Sequence, residues 1–103
     1  MHAQLITYRL TDVSREHVQE DLIRPYAKYF ADLDGLVSKV WLDDTAAGNY
    51  GGFYVWNDKA AMDKFMSSPA AADIIGQPYI VDLASADWPI EEDASRTTRG
   101  VSH

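Results

Sequence analysis

Few side chains in this sequence are equipped for chemistry, and most of those are aromatic. Trp41, Tyr54 and Trp56 fall at positions of equal parity in two stretches that read as neighbouring strands, which turns all three toward one face. With six Tyr, three Trp and three Phe in 103 residues, rings are plentiful. They line pockets and interfaces because they supply rigid contact area at low entropic cost. Asn57 follows Trp56 directly and could offer its amide to an anionic oxygen, or cap the helix that comes next. Arg9, at the end of the first strand, is the best-placed cation for such an oxygen; its plainer role is a solvated strand-end charge. Tyr26 and Tyr29 lie on the apolar stripe of a helix, where packing is the ordinary role. Their hydroxyls would be the natural donors to a pocket beside that stripe.

Other groups carry less. His17 lies off the main stripe of its helix and reads as a surface residue, while His2 and His103 are terminal. There are no cysteines, which excludes disulfides, thiolate nucleophiles and thiolate-bound metal. Asp63 and Asp82 could bind a metal only with partners the sequence does not place, so no metal is expected. Asp82, mid-strand, must face solvent or find a donor; a carboxylate base with a raised pKa is the sharper alternative. Lys39 has the parity of Val37 and Trp41, and either reaches water past the rim or pairs with a carboxylate across an interface. Gly51-Gly52 opens a strand rather than a helix, so it cannot cradle a phosphate.

These residues need elements to hold them. Ala3 to Leu10 alternates as a strand, with Leu5, Thr7 and Arg9 on one side and Gln4, Ile6 and Tyr8 on the other. Val18, Leu22, Tyr26, Tyr29 and Leu33 mark one stripe of a helix from about Ser14 to Leu33, capped by Asp12 or Ser14. Pro25 interrupts it, and one bent helix is favoured over two because the stripe keeps its phase. Leu36 to Leu42 and Tyr50 to Trp56 read as strands joined by a hairpin loop. In the first of them Leu36, Val40 and Leu42 share a face. Gly51-Gly52 marks a bulge or a close approach of backbone. Asn57 or Asp58 caps a helix through Ser67, a short turn runs over Ala70 to Ile75, and Gln77 to Ala84 is the fourth strand. From Ser85 onward the chain reads as irregular.

The order strand-helix-strand-strand-helix-strand predicts an α+β, ferredoxin-like βαββαβ sandwich with a four-stranded antiparallel sheet. One domain over residues 1–90 and a flexible acidic and polar tail over 91–103 follow, the acidic part being Glu91, Glu92 and Asp93. Both sheet faces carry large apolar groups, yet two helices can cover only one, so the other is expected to pair with a second copy as a homodimer. A net charge of -7 without a basic stripe argues against nucleic acid. With no apolar run long enough to span a membrane and no leader at Met1 to Arg9, a cytoplasmic location is the default expectation.

The segment Gly35-Leu-Val-Ser-Lys-Val-Trp-Leu-Asp-Asp44 followed by Asn49-Tyr-Gly-Gly-Phe-Tyr-Val-Trp56 resembles the YdhR-like putative mono-oxygenase family. That family belongs to the dimeric α+β barrel superfamily, with the antibiotic-biosynthesis monooxygenases. Lys39, Trp41, Gly51, Gly52, Tyr54, Asn57, Asp58 and Ala61 carry the likeness, which spans about residues 3–90 and includes Pro25. Trp56 departs from the pattern, since close relatives can carry another aromatic there.

The resemblance implies a dimeric α+β barrel in which each subunit holds a ligand cleft between sheet and helices. It also implies an oxidoreductase working without metal, flavin or haem, whose substrate is a phenolic aromatic or polyketide-like small molecule. On that reading Arg9, Asn57 and Trp56 are the catalytic candidates and Tyr26, Tyr29, Trp41 and Tyr54 bind substrate; no cofactor is expected. A non-catalytic binding dimer and an isomerase or cyclase are the competing readings.

Overall fold

A computed structural model of the chain describes residues 1–101. In order the elements are β1 (His2–Leu10), α1 (Arg15–Val18), a π-helical turn (Gln19–Ile23), α2 (Arg24–Ala31), β2 (Leu36–Asp44), β3 (Asn49–Trp56), α3 (Lys59–Met66), α4 (Pro69–Ile75), β4 (Ile80–Pro89) and α5 (Glu92–Thr97). The strands form one antiparallel sheet ordered β2-β3-β1-β4. That is the ferredoxin-like order the sequence predicts.

The barrel expected from the resemblance is not present. β2 and β4 stand at opposite ends with β3 and β1 between them, and they do not pair, so the sheet stays open. The physical reason is strand number: four strands are too few to curl round and bring β2 against β4. Closure needs the two edges to meet.

The helical stretch continues past Pro25 through a widened turn. Ser14 caps α1 by accepting from His17 N at 3.1 Å. The turn Gln19–Ile23 is then widened, with Arg24 N–H donating to the carbonyl of Gln19. Pro25 falls in the first turn of α2, where a missing N–H is no loss. The extra residue of a π-turn moves the stripe along by one position. Val18 is buried before it and Leu22 within it, and Phe30 rather than Tyr29 is buried after it. Tyr26, Tyr29 and Leu33 are not among the buried residues but pack against the core from its margin.

Irregularities in the edge strands correct other expectations. β2 carries a bulge between Leu36 and Ser38, so Leu36 joins the helix-side core instead of the face of Val40 and Leu42. β4 begins later and runs further than predicted. Its pairing slips from Thr7 opposite Ala84 to Arg9 opposite Val81. Asp82 sits in that bulge with φ 54° and is exposed, the plainer of its two readings. The segment after Ser85 is not irregular: β4 continues to Pro89, and α5 is tied back by the Met1 ammonium bonding Glu92 Oε2 at 2.8 Å. His103 lies outside the described residues.

Two apolar clusters fill the space under the helices. One gathers Ile6, Phe30, Tyr54, Trp56, Met62, Phe65 and Ala71; the other gathers Tyr8, Val18, Leu22, Tyr79 and Ile80. The opposite face of the sheet is bare: Val40, Phe53 and Trp88 are 55%, 39% and 52% exposed.

Candidate functional site

Alternation puts Ile6 and Tyr8 of β1, Lys39 and Trp41 of β2, and Tyr54 of β3 on the helix side of the sheet. Together with Tyr26 and residues of α3 and α4 they surround a cleft between the layers, its full free space with the mouth included being about 500 Å³. Only about 30 Å³ of this is deep void, roughly the room of one water. Side chains must therefore shift to admit a ligand. Ile75 and Leu83, both lining it and both exposed, stand where the cleft meets solvent.

The wall is apolar and aromatic except for one amine and three phenols. Lys39 Nζ lies 3.5 Å from the ring centroid of Trp41, 3.6 Å from that of Phe30 and 4.6 Å from that of Tyr54. No carboxylate among the described residues pairs with it. Burial pulls the ammonium from 10.5 to about 7, since the charged form loses its water. The faces of three rings restore part of that lost stabilisation. Gly52 makes room for this arrangement, because a side chain there would collide with the lysine stem.

The phenols are all held above their usual range. Burial raises Tyr8 to about 12 and raises Tyr54 further. Tyr26 is raised to about 12, chiefly because its hydroxyl donates to Asp73 on α4, and that bond straps α2 to α4. None of the three is a base near neutral pH.

The sequence-predicted residues divide. Trp41, Tyr54 and Tyr26 line the cleft. Tyr29 lies beside it, edge-on to Phe30 at 5.4 Å. Trp56 is fully buried against Tyr54, stacked at 5.7 Å and 4°, and its Nε1 donates to Gln4 Oε1 at 3.0 Å. Asn57 is exposed; its backbone N–H donates to Gly35 O at 2.8 Å, and Asp58, not Asn57, caps α3 through Ala61 N. Arg9 is on the bare face, where Nη1 donates to Ala47 O and Asn49 Oδ1, both at 3.3 Å, and so braces the β2–β3 loop. His17 is exposed beside Asp21 at 3.0 Å, as its position off the stripe predicts. His2 is buried, bonded to Asp87 at 2.6 Å.

Sequence reasoning left Lys39, Tyr8 and Phe30 out of the site. The signal for Lys39 was present in its parity with Trp41 and in a neighbouring Gly-Gly pair. Phe30 could not be found while the helix was read with an unbroken period. Among the described residues no three His, Asp or Glu converge as a metal would need, and no helix is long and apolar enough to cross a membrane.

The sequence profile of the family described as "Putative mono-oxygenase ydhR" matches residues 6–101. Among curated proteins none matches. A "putative antibiotic biosynthesis monooxygenase" of Deinococcus radiodurans is 20% identical, with TM-score 0.70 over 89% of this chain and 94% of that one. SnoaB of Streptomyces nogalater, described as a cofactor-independent oxygenase, is 16% identical with TM-score 0.66, over 88% and 93%. A "putative Antibiotic biosynthesis monooxygenase" of Chloroflexus aurantiacus is 22% identical with TM-score 0.62, over 87% and 94%. Identities this low establish a shared fold alone.

Proposed function

The chain belongs to the ydhR mono-oxygenase family, and from that premise we propose that it oxygenates an electron-rich phenolic or polyketide-like molecule without a cofactor. The observation that supports this is the cleft itself: apolar and aromatic, with a single amine in its wall. Such chemistry asks the protein for little more than a dry pocket that favours an anion and lets dioxygen in. For an anthrone-like substrate, one ring methylene and one dioxygen give one ketone carbonyl and one water. One oxygen atom goes to carbon, the other leaves as water with both carbon-bound hydrogens, and the substrate supplies all four electrons. Trp41, Tyr54 and Tyr26 hold the rings in this reading, and Trp56 braces Tyr54. Arg9 and Asn57, both outside the cleft, take no part in the step.

Oxygen uptake with hydroquinones and anthrone-like phenols in metal-free buffer tests it. Turnover with one water formed per dioxygen is the expected result. Saturable binding without uptake across the panel overturns it in favour of a binding protein. The same amine supports a second reading, an isomerase or cyclase that only moves protons; deuterium exchange into substrate without oxygen consumption would mark it.

The bare face is proposed to meet a second copy of the chain. Val40, Phe53, Leu5 and Ala86 are cross-strand partners in one apolar row, with Trp88 beside it. A self-complementary patch on a two-fold axis is the simplest closed way to hide it.

A further inference from the structure

We propose that Lys39 takes the proton from the substrate's acidic hydroxyl and then, as an ammonium, holds the oxyanion it has made. The proposal deepens the mono-oxygenase reading and rests on it, because a phenol or enol must be ionised before dioxygen can accept electrons from it.

The geometry carries the argument. A lysine kept for structure extends into solvent or pairs with a carboxylate, because a charge drawn back among apolar groups without a partner is costly. Lys39 has no carboxylate in ion-pair range among the described residues, and its half-buried amine is drawn back over the rings of Phe30, Trp41 and Tyr54 in the wall of the cleft. The ring faces favour a cation at that point, so they stabilise the product of proton uptake while leaving the amine without a fixed acceptor. An oxyanion would be that missing counter-ion.

The surroundings offer no competitor. The titratable residues that line the cleft beside Lys39 are Tyr8 of β1, Tyr54 of β3 and Tyr26 of α2, all acids weaker than an ordinary phenol. The lining residues of the π-turn, α3, α4 and β4 are apolar, and Asp73 of α4, outside the lining, is held by the Tyr26 hydroxyl. On β2 itself Asp43 is already paired with Arg15. Burial also leaves the amine titrating near 7, where a base is most useful at neutral pH. In the step the substrate O–H bond breaks and an N–H bond forms at Nζ. The electron pair stays on oxygen, and nothing is oxidised or reduced.

The test uses para-nitrophenol, whose phenolate absorbs visible light and whose neutral form does not. At a pH where the free compound is mostly neutral, the wild-type protein should bind it as the phenolate. Lys39→Met should lose that induced band and weaken phenolate binding about tenfold or more. Lys39→Arg should keep the band, because a guanidinium still holds an anion. It should nevertheless lose about 100-fold in kcat on a turned-over phenol, together with the inflection near pH 7, because arginine cannot cycle a proton. An equal band in wild type and Lys39→Met, or no binding to the wild type, overturns the proposal. A band that depends on Lys39 without any oxygen uptake would instead remove the oxygenase reading and leave this one standing.

Discussion

A Cβ on residue 52 would stand 2.9 Å from Cε of Lys39 and 3.1 Å from the ring of Tyr54, so Gly52 lets the lysine lie across β3 and reach its rings. The obstacle is a flexible stem, which can move. Gly52→Ala should therefore fold, at a cost of about 1–2 kcal/mol, with the amine pushed out of its box. NMR titration of the Lys39 side chain should then show its pKa moved back toward 10.5. Gly51 is the contrast: its φ is 152°, and a Cβ there would lie 1.9 Å from the carbonyl oxygen of Ile6. Backbone cannot step aside in mid-sheet, and Gly51→Ala should cost about 4 kcal/mol or more, read by urea denaturation.

Stability should rise with pH just above neutrality. The Lys39 amine is depressed to about 7 in the folded protein against 10.5 when free, so between those values the unfolded chain binds more protons. Stability then increases with pH, by up to about 1.4 kcal/mol per unit from this one group. From about pH 7 to about pH 9 the gain should be about 2 kcal/mol, and Lys39→Met should flatten it. Above about pH 10 the direction reverses, because Tyr8 and Tyr54 are raised and the folded state then binds more protons. Denaturation midpoints across this range, with and without Lys39, measure both limbs.

Trp56 and Gln4 form a buried pair, 0% and 1% exposed, and Gln4 Nε2 also donates to Ser85 Oγ at 3.3 Å. Gln4→Leu leaves the indole N–H without a partner and should cost about 2–3 kcal/mol. Because neither side chain lines the cleft, Lys39-dependent nitrophenol binding should survive at temperatures where the variant stays folded. A loss of binding with the fold intact would assign Trp56 a direct part in the site.

The bare sheet face gives a fourth expectation. Phe53→Glu with Trp88→Glu should leave a folded single subunit in sedimentation, whereas the wild type is expected to run as two copies. Each charge would have to be buried without a partner for the copies to meet. A wild-type protein that sediments as one subunit overturns the expectation.

Taken alone, the residues from Ala3 to Trp56 already determined the strand-helix-strand-strand order, the parity of Gln4, Ile6 and Tyr8 against Leu5, Thr7 and Arg9, and the excess of apolar surface on two sides of one sheet. Those properties are periodic, and a period of two or of about 3.6 shows in sequence without any partner. What breaks the period was decided by packing. The widened turn before Pro25 put Phe30 in the core, the bulge after Leu36 turned that side chain around, and the bulge at Asp82 carried Leu83 to the cleft. An inserted residue is registered only against the strand or helix it faces, so each is invisible until that neighbour is in place. Lys39 belongs to the same class. Its place among three rings depends on α2, β2 and β3 meeting at one point over Gly52, and no single one of them carries that information.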